Sequence, residues 1–474
     1  MRVVAWVIND VTRDSRVLRE AATLAAAGHD VTVMGVTRTP EEAPGSREAY
    51  EGFTIVRVPI PRGSPWWMTW VRMPWVSMRS AVRVAADDLP RGRIGPSLVR
   101  LAGAVASLPW LVVRVAWVLV VNKILRRPVR LAGLEYIRHW RVELLGWGRA
   151  AIAFAPPADV HHAHDFEALP TALVAARRDG ARVVYDSHEI FGTWGLALRQ
   201  PRWLRWLMAR WQRRLARRAT AVVTINHSIA DILRQRLGVK RVVVVHNAPA
   251  RWTPTDPPED RIRAAAGIPA DAPVVLCHGG FQANRGLDET AEAMLEPGLE
   301  RAHLVFLGYR VRVIEPILAD PRLAGRVHYL PAVPPSDVLA WVTGADVDVM
   351  AILPADENSR MSTPNKLFES LAAGVPVVSS DFPERRRIVV DDPLGPLGAL
   401  CDPADPHSIA AALRSILDLP ADGRADLRTR CLQAAHERWN WETEGGRLAA
   451  LYAELQGSAG RGPSVSPRPG GDGS

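Results

Sequence analysis

Lysine is almost missing from this chain. Of its 59 basic residues three are lysine, Lys123, Lys240 and Lys366, which leaves 56 arginines. A compact ammonium and a planar guanidinium are not equivalent at a phosphate, so each lysine is informative. Cysteine is as scarce. Cys277, Cys401 and Cys431 are odd in number and lack metal-ligand spacing. That excludes a disulfide framework and a zinc finger, and it points to a reducing compartment. The apolar run 3–8 has no basic stretch before it and no small-residue cleavage site after it. It therefore reads as a first strand rather than a signal peptide. No helix-turn-helix, zinc or RNA-binding sheet pattern is present, which argues against nucleic acid as the partner.

What the chain has in abundance is arginine beside tryptophan. Residues 60–150 hold 15 basic and 4 acidic side chains, a net +11 against +9 for all 474 residues. They also hold 8 of the 17 tryptophans. This is the composition of a surface that meets anionic lipid headgroups. Within it, 101–121 is nearly all apolar but contains Pro109 and Arg114. Three readings stay open: an interfacial helix, a helix buried in protein, and a membrane span. A second basic amphipathic stretch, 202–218, carries the stripe Leu204, Met208, Trp211 and Leu215. It fits packing on the fold and membrane contact equally.

Outside the insertion, short apolar runs alternate with helical stretches. Strands are expected at 3–8, 30–36, 54–58, 160–164, 182–185, 221–225 and 242–246. After a linker with four prolines, a second series follows at 274–277, 302–307, 326–330, 347–351 and 375–379. Strands alternating with helices imply α/β domains with parallel sheets. The expected division is 1–247, a hinge at 248–260, a second domain at 261–435, a terminal helix at 436–456 returning to the first domain, and a disordered tail at 457–474. Ligands in such sheets lie at the carboxyl ends of strands.

One run stands out: Ser362-Thr363-Pro364-Asn365-Lys366-Leu367-Phe368-Glu369. It reads as a polar loop opening a helix. Unpaired N–H groups and the positive dipole end suit a phosphate there. Lys366 sits in the first turn, and Glu369 follows on the same side, where a carboxylate accepts from a ribose diol.

The chain resembles the family 4 glycosyltransferases of GT-B fold. The resemblance is carried by Asp14-Ser15-Arg16-Val17-Leu18-Arg19-Glu20, by His162-Ala163-His164-Asp165-Phe166-Glu167, and by Tyr185-Asp186-Ser187-His188-Glu189. Further on come His246-Asn247-Ala248-Pro249, Gly279-Gly280-Phe281-Gln282-Ala283-Asn284-Arg285-Gly286, Phe306-Leu307-Gly308, the Pro364–Glu369 run and Trp439-Asn440-Trp441-Glu442. It implies two Rossmann-like domains facing across a cleft, with the basic insertion in the first. It also implies a retaining transfer from a nucleoside-diphosphate sugar to a hydroxyl, without metal or cofactor. His164, Arg285, Lys366 and Glu369 would be catalytic. Ser362, Asn365, Lys366, Leu367, Glu369 and Gly308 would hold the donor, and Asp14, Arg16, Asp165, His188 and Glu189 would face the acceptor. With the basic segments, this suggests a protein peripheral on the cytoplasmic face of the membrane, with a lipid-linked or envelope-glycan acceptor. A sugar-nucleotide epimerase of the same fold and a non-catalytic nucleotide-sugar scaffold are the alternatives.

Three positions depart from the family pattern. Met361 stands where an acid is usual, and Gly280 stands where an arginine is usual. The loop 9–14 replaces a glycine-rich turn.

Overall fold

The computed structural model describes residues 1–61 and 132–459, apart from Arg13, Pro40, Trp194, Pro258 and Arg310. Most of the basic insertion, including 101–121, and the tail from 460 lie outside the described residues. Eight strands form the first sheet: β1 (Arg2–Trp6), β2 (Asp30–Val36), β3 (Ser46–Tyr50), β4 (Phe53–Val58), β5 (Val160–His164), β6 (Arg182–Ser187), β7 (Ala221–Thr224) and β8 (Val242–Val244). Their order is β3-β4-β2-β1-β5-β6-β7-β8. All pairings are parallel except β3 with β4.

The second sheet contains β9 (Val274–Gly280), β10 (His303–Tyr309), β11 (Val327–Pro331), β12 (Val347–Met350), β13 (Val377–Ser380) and β14 (Gly398–Cys401). It is wholly parallel, in the order β11-β10-β9-β12-β13-β14. All the strands expected from the sequence are present, and β3 and β14 are additional.

Eight helices bear on the site: α1 (Ser15–Ala26), α2 (Asp165–Asp179), α3 (Arg202–Ala216), α4 (His227–Leu237), α5 (Glu357–Met361), α6 (Asn365–Ala372), α7 (Pro383–Val389) and α8 (Trp441–Ala459). Helices cover both faces of each sheet, which is why most of the central strands are largely apolar. In β1, Val4 and Trp6 face a core that includes Trp147, Phe166 and Leu169. Val3 and Ala5 face the opposite way, with Val17, Leu24, Leu448 and Tyr452. The two-residue period of the strand divides one apolar run between two cores.

Local signals set the helix ends. Asp14 caps α1 by accepting from the Val17 amide at 3.2 Å. Asn226 caps α4 by accepting from Ile229 at 2.8 Å. Each cap satisfies an amide that the helix leaves unpaired.

The chain crosses between domains twice. It leaves the first domain near His246 and returns at α8, whose Leu448, Leu451, Tyr452 and Leu455 belong to a core of the first domain. The crossings are tied together, since the Trp441 amide donates to the Pro249 carbonyl at 2.8 Å. Among the described residues, no helix is long and apolar enough to cross a membrane.

Candidate active site

The strand ends of the two sheets meet across hydrogen bonds. Asn226 Nδ2 donates to the Met361 carbonyl at 2.8 Å and to Thr363 Oγ1 at 2.9 Å. The Ile190 amide donates to Asn358 at 3.2 Å. Asn365 is exposed and bonds Asn247 at 3.0 Å. These contacts set the ends of β5 and β6 opposite the start of α6.

On the first-domain bank, β5 ends at buried His164 and α2 begins at once. Asp165 adopts φ 62°, which is unusual for a side chain with a Cβ. The turn lets its carboxylate accept from the His188 amide at 3.2 Å and lie 3.2 Å from His188 Nδ1. The other ring nitrogen of His188 is 2.8 Å from Asp186. Asp186, fully buried at the end of β6, accepts from Arg16 Nε at 2.9 Å and Nη2 at 3.0 Å. Arg16 also lies 3.0 Å from Glu20. The result is an alternating chain, Glu20–Arg16–Asp186–His188–Asp165.

Charges in such a chain set one another's protonation. Burial disfavours the His188 imidazolium, but Asp165 and Asp186 overcome it and hold its pKa well above the usual value. Burial would raise Asp186, yet Arg16 and His188 hold it well below the carboxylate range. Glu20, desolvated more than Arg16 compensates, is pushed up to about 7. Glu167 and Glu189 are pushed up by burial to about 7 and about 8.

These last two, with His164, Asp165 and His188, line a cavity of about 480 Å³. Its rim includes Ile60, His139 and Leu144. The last two bound a π-helical turn, His139–Leu144, a distortion frequent at functional sites. Glu20, His162, His164 and Asp186 offer ligand atoms within 4.8 Å of one another. The Arg16 guanidinium pairs with both carboxylates, while both Glu20 oxygens and His162 Nε2 lack a hydrogen-bond partner.

The second-domain bank is built around α6. Pro364 precedes it without a side-chain cap, and of the first-turn amides that of Leu367 donates back to the Pro364 carbonyl at 3.0 Å. Lys366 is half-buried, with Nζ 3.5 Å from the His278 carbonyl. Glu369, one turn on, lies 3.1 Å from His278 Nε2. The opposite nitrogen of His278 is 3.1 Å from buried Asp348. Burial lowers the His278 pKa, but the two carboxylates outweigh it and push it up to about 9. Burial, with Arg285 and Arg385 as neighbours, lowers the Lys366 pKa against the pull of Asp348.

Arg285 closes a short turn after β9. The next residue has to be glycine: Gly286 has φ 64°, and a Cβ there would lie 1.9 Å from the Ala351 carbonyl oxygen. Gly308 is constrained in the same way, since its Cβ would meet the Gly279 carbonyl at 1.8 Å.

Lys366, Glu369 and Arg285 thus gather on one bank, and His164, Asp165, His188 and Glu189 on the other. Other candidates are placed differently. Arg16 is locked beneath the first bank. Asp14 is occupied as a helix cap and accepts from Asn9 at 2.8 Å. Leu367 is a core residue, and Ser362 ends α5. Sequence reasoning did not single out His278, Asp186 or Arg385. The position of His278, just before Gly279-Gly280 at a strand's carboxyl end, was the available signal.

Comparison with known proteins gives a family. Residues 14–248 match the family described as "Glycosyl transferase 4-like domain", and 272–419 match "Glycosyl transferases group 1". A D-inositol 3-phosphate glycosyltransferase of Xylanimonas cellulosilytica is 29% identical over 43% of this chain and 48% of its own length. The chain therefore spans about half of that relative. A GDP-mannose-dependent alpha-(1-6)-phosphatidylinositol monomannoside mannosyltransferase of Mycolicibacterium smegmatis is 26% identical over 61% of the chain and 77% of its own length. Among solved structures, the sucrose-phosphate synthase of Thermosynechococcus elongatus superposes with a TM-score of 0.63 at 15% identity. It covers 97% of this chain and all of its own, and so shares the two-sheet fold.

Proposed function

The chain belongs to the family 4 glycosyltransferases, and from that premise we propose that it moves a sugar, with retention of configuration, from a nucleoside-diphosphate sugar to a hydroxyl. The acceptor is a lipid-linked or other envelope glycan at the cytoplasmic membrane face. The observation that carries this reading is the pairing of Lys366 and Arg285 at one side of the cleft with the His164–His188 cavity at the other.

The chemistry follows from where charge develops. The glycosyl–phosphate C–O bond breaks and leaves negative charge on the diphosphate. In this reading Lys366, Arg285 and the positive end of α6 receive it. Glu369, oriented by His278, accepts hydrogen bonds from the ribose hydroxyls. The acceptor oxygen takes the place of the phosphate oxygen at the same carbon, and its proton leaves with the diphosphate. His164 abuts the transferred sugar. Protein cations do the work that a metal does in other transferases. Closure of the two domains keeps water from the activated sugar.

The membrane reading is supported by α3. Leu204, Met208 and Leu215 face inward, while Trp203, Trp206 and Leu207 are 58%, 62% and 49% exposed. Arginines surround them, and the Arg210 guanidinium stacks 4.9 Å from the Trp206 ring. Exposed tryptophan ringed by arginine suits an anionic lipid surface. The named acceptor of the Mycolicibacterium relative, a phosphatidylinositol mannoside, is of the lipid class proposed here.

The test is to incubate the protein with UDP-glucose or GDP-mannose and a membrane lipid extract. The expected result is nucleoside diphosphate release that requires the acceptor, an α-linked product by NMR, and a loss of about 100-fold or more in Lys366→Ala. An epimerised sugar nucleotide formed without acceptor would replace this reading with the epimerase. Undiminished turnover by Lys366→Ala would remove the second bank from the chemistry.

A further inference from the structure

Arg385 is a buried cation that the fold leaves unfinished. It lies on α7, directly after β13, and is 0% exposed. Nη2 donates to the Ser359 carbonyl at 2.8 Å, and the guanidinium rests 5.0 Å from the Phe382 ring. Nε and Nη1 have no hydrogen-bond partner. A buried donor without a partner is expensive, and a charged one more so. Burial, with repulsion from Arg285 next, pulls the Arg385 pKa down to about 9.

Its surroundings indicate what is missing. In the second sheet β9, β12 and β13 are consecutive neighbours. Arg285 follows β9, Lys366 follows β12 by way of α5, and Arg385 follows β13. The three segments touch: the Leu353 amide donates to the Asn284 carbonyl at 3.0 Å, and Arg385 is pinned to Ser359 of α5. Each cation feels another, since Arg285 and Arg385 both disfavour the charge on Lys366. Asp348 offsets part of the Lys366 charge but makes no hydrogen bond to Arg385.

We propose that Arg385 is a third ligand of the donor's diphosphate, giving its Nε and Nη1 hydrogens to phosphate oxygens beside Arg285 and Lys366. This rests on the nucleotide-sugar reading above and extends it to a residue outside the expected set. A guanidinium is more weakly hydrated than an ammonium and keeps several planar donors when buried, which suits a desolvated phosphate group. The preceding residue gives the site a second property. Glu384 accepts from the Ser228 amide at 2.9 Å and from Ser228 Oγ at 2.8 Å, both at the start of α4 in the first domain. One turn of α7 therefore holds the clasp between domains and the diphosphate ligand on consecutive residues.

The experiment is titration calorimetry on the full chain with three probes: inorganic pyrophosphate, nucleoside diphosphates (UDP and GDP), and the parent nucleosides. In Arg385→Met, pyrophosphate and nucleoside diphosphate affinity falls at least tenfold, while nucleoside binding is unchanged. The ligand-free melting temperature stays level or rises, because an unpaired buried charge has been replaced by an apolar side chain. Arg385→Lys, which keeps the charge, falls between, and it decides the matter if the methionine variant does not fold.

Nucleoside diphosphate binding within twofold of wild type in both variants overturns the proposal and leaves the donor reading standing. A lowered melting temperature with loss of all three probes assigns Arg385 to the scaffold and also overturns it. Arg385-dependent pyrophosphate binding without any nucleoside diphosphate binding keeps the anion site and ends the donor reading. Wild-type protein that binds none of the probes overturns both.

Discussion

The two banks of the cleft handle charge in opposite ways. On the first, Glu20, Arg16, Asp186, His188 and Asp165 alternate in sign, so each charge has its counterpart within 3.2 Å. On the second, Arg285, Lys366 and Arg385 crowd together, and two nitrogens of Arg385 are unpaired. The first bank supplies its own counter-charges, although both Glu20 oxygens and His162 Nε2 lack a hydrogen-bond partner. The second is the one to which the proposal assigns an anion.

The comparison breaks most sharply at Asp186. Asp186→Asn leaves Arg16 and His188 buried without their shared carboxylate and is expected to cost about 3–5 kcal/mol. Urea denaturation measures it. A loss below about 1 kcal/mol would mean that the alternating chain is not what holds this bank.

A smaller effect is expected at His278, which Asp348 and Glu369 compensate beneath the second bank. Its folded pKa of about 9 lies above its ordinary 6.5. The stabilisation from Asp348 and Glu369 is therefore complete below about pH 6.5 and is lost as pH rises through about 9. The stability difference between wild type and His278→Gln should shrink across that window. Denaturation series at pH 6, 7.5 and 9 would show it, and a constant difference would rule out a charged His278.

The smallest effect on the fold is expected where neither bank is touched. Replacing Trp203 and Trp206 with serine should leave stability within about 0.5 kcal/mol. Binding to vesicles containing acidic lipid should fall roughly tenfold, since it scales with the apolar area buried in the interface. Unchanged vesicle binding would separate α3 from the membrane.

Much of the fold was legible in the sequence because both sheets are covered on both faces. Valine-rich runs mark such strands, and β2 falls at 30–36 as the pattern indicates. The edge strands β3 and β14 were not legible. β3 leaves alternate residues exposed and carries Ser46, Arg47 and Glu48, so it has no apolar run to detect.

The site divides in the same way. Lys366 and Glu369 sit three residues apart in one motif and can be paired by helical spacing alone. Arg16 and Asp186 are 170 residues apart, and only the sheet brings them together. Arg385 sits in a run of three arginines on α7, and nothing local distinguishes the buried one from its exposed neighbours.

The return of α8 to the first domain also matters for how the molecule is made. Val3, Ala5, Val17 and Leu24 are synthesised more than 400 residues ahead of Leu448, Tyr452 and Leu455, which cover their face. At about 5–20 residues per second, roughly 20–90 seconds pass before that apolar face can be closed. For that time the face that Leu448, Tyr452 and Leu455 later take is open, and transiently exposed apolar surface of this kind is prone to aggregation.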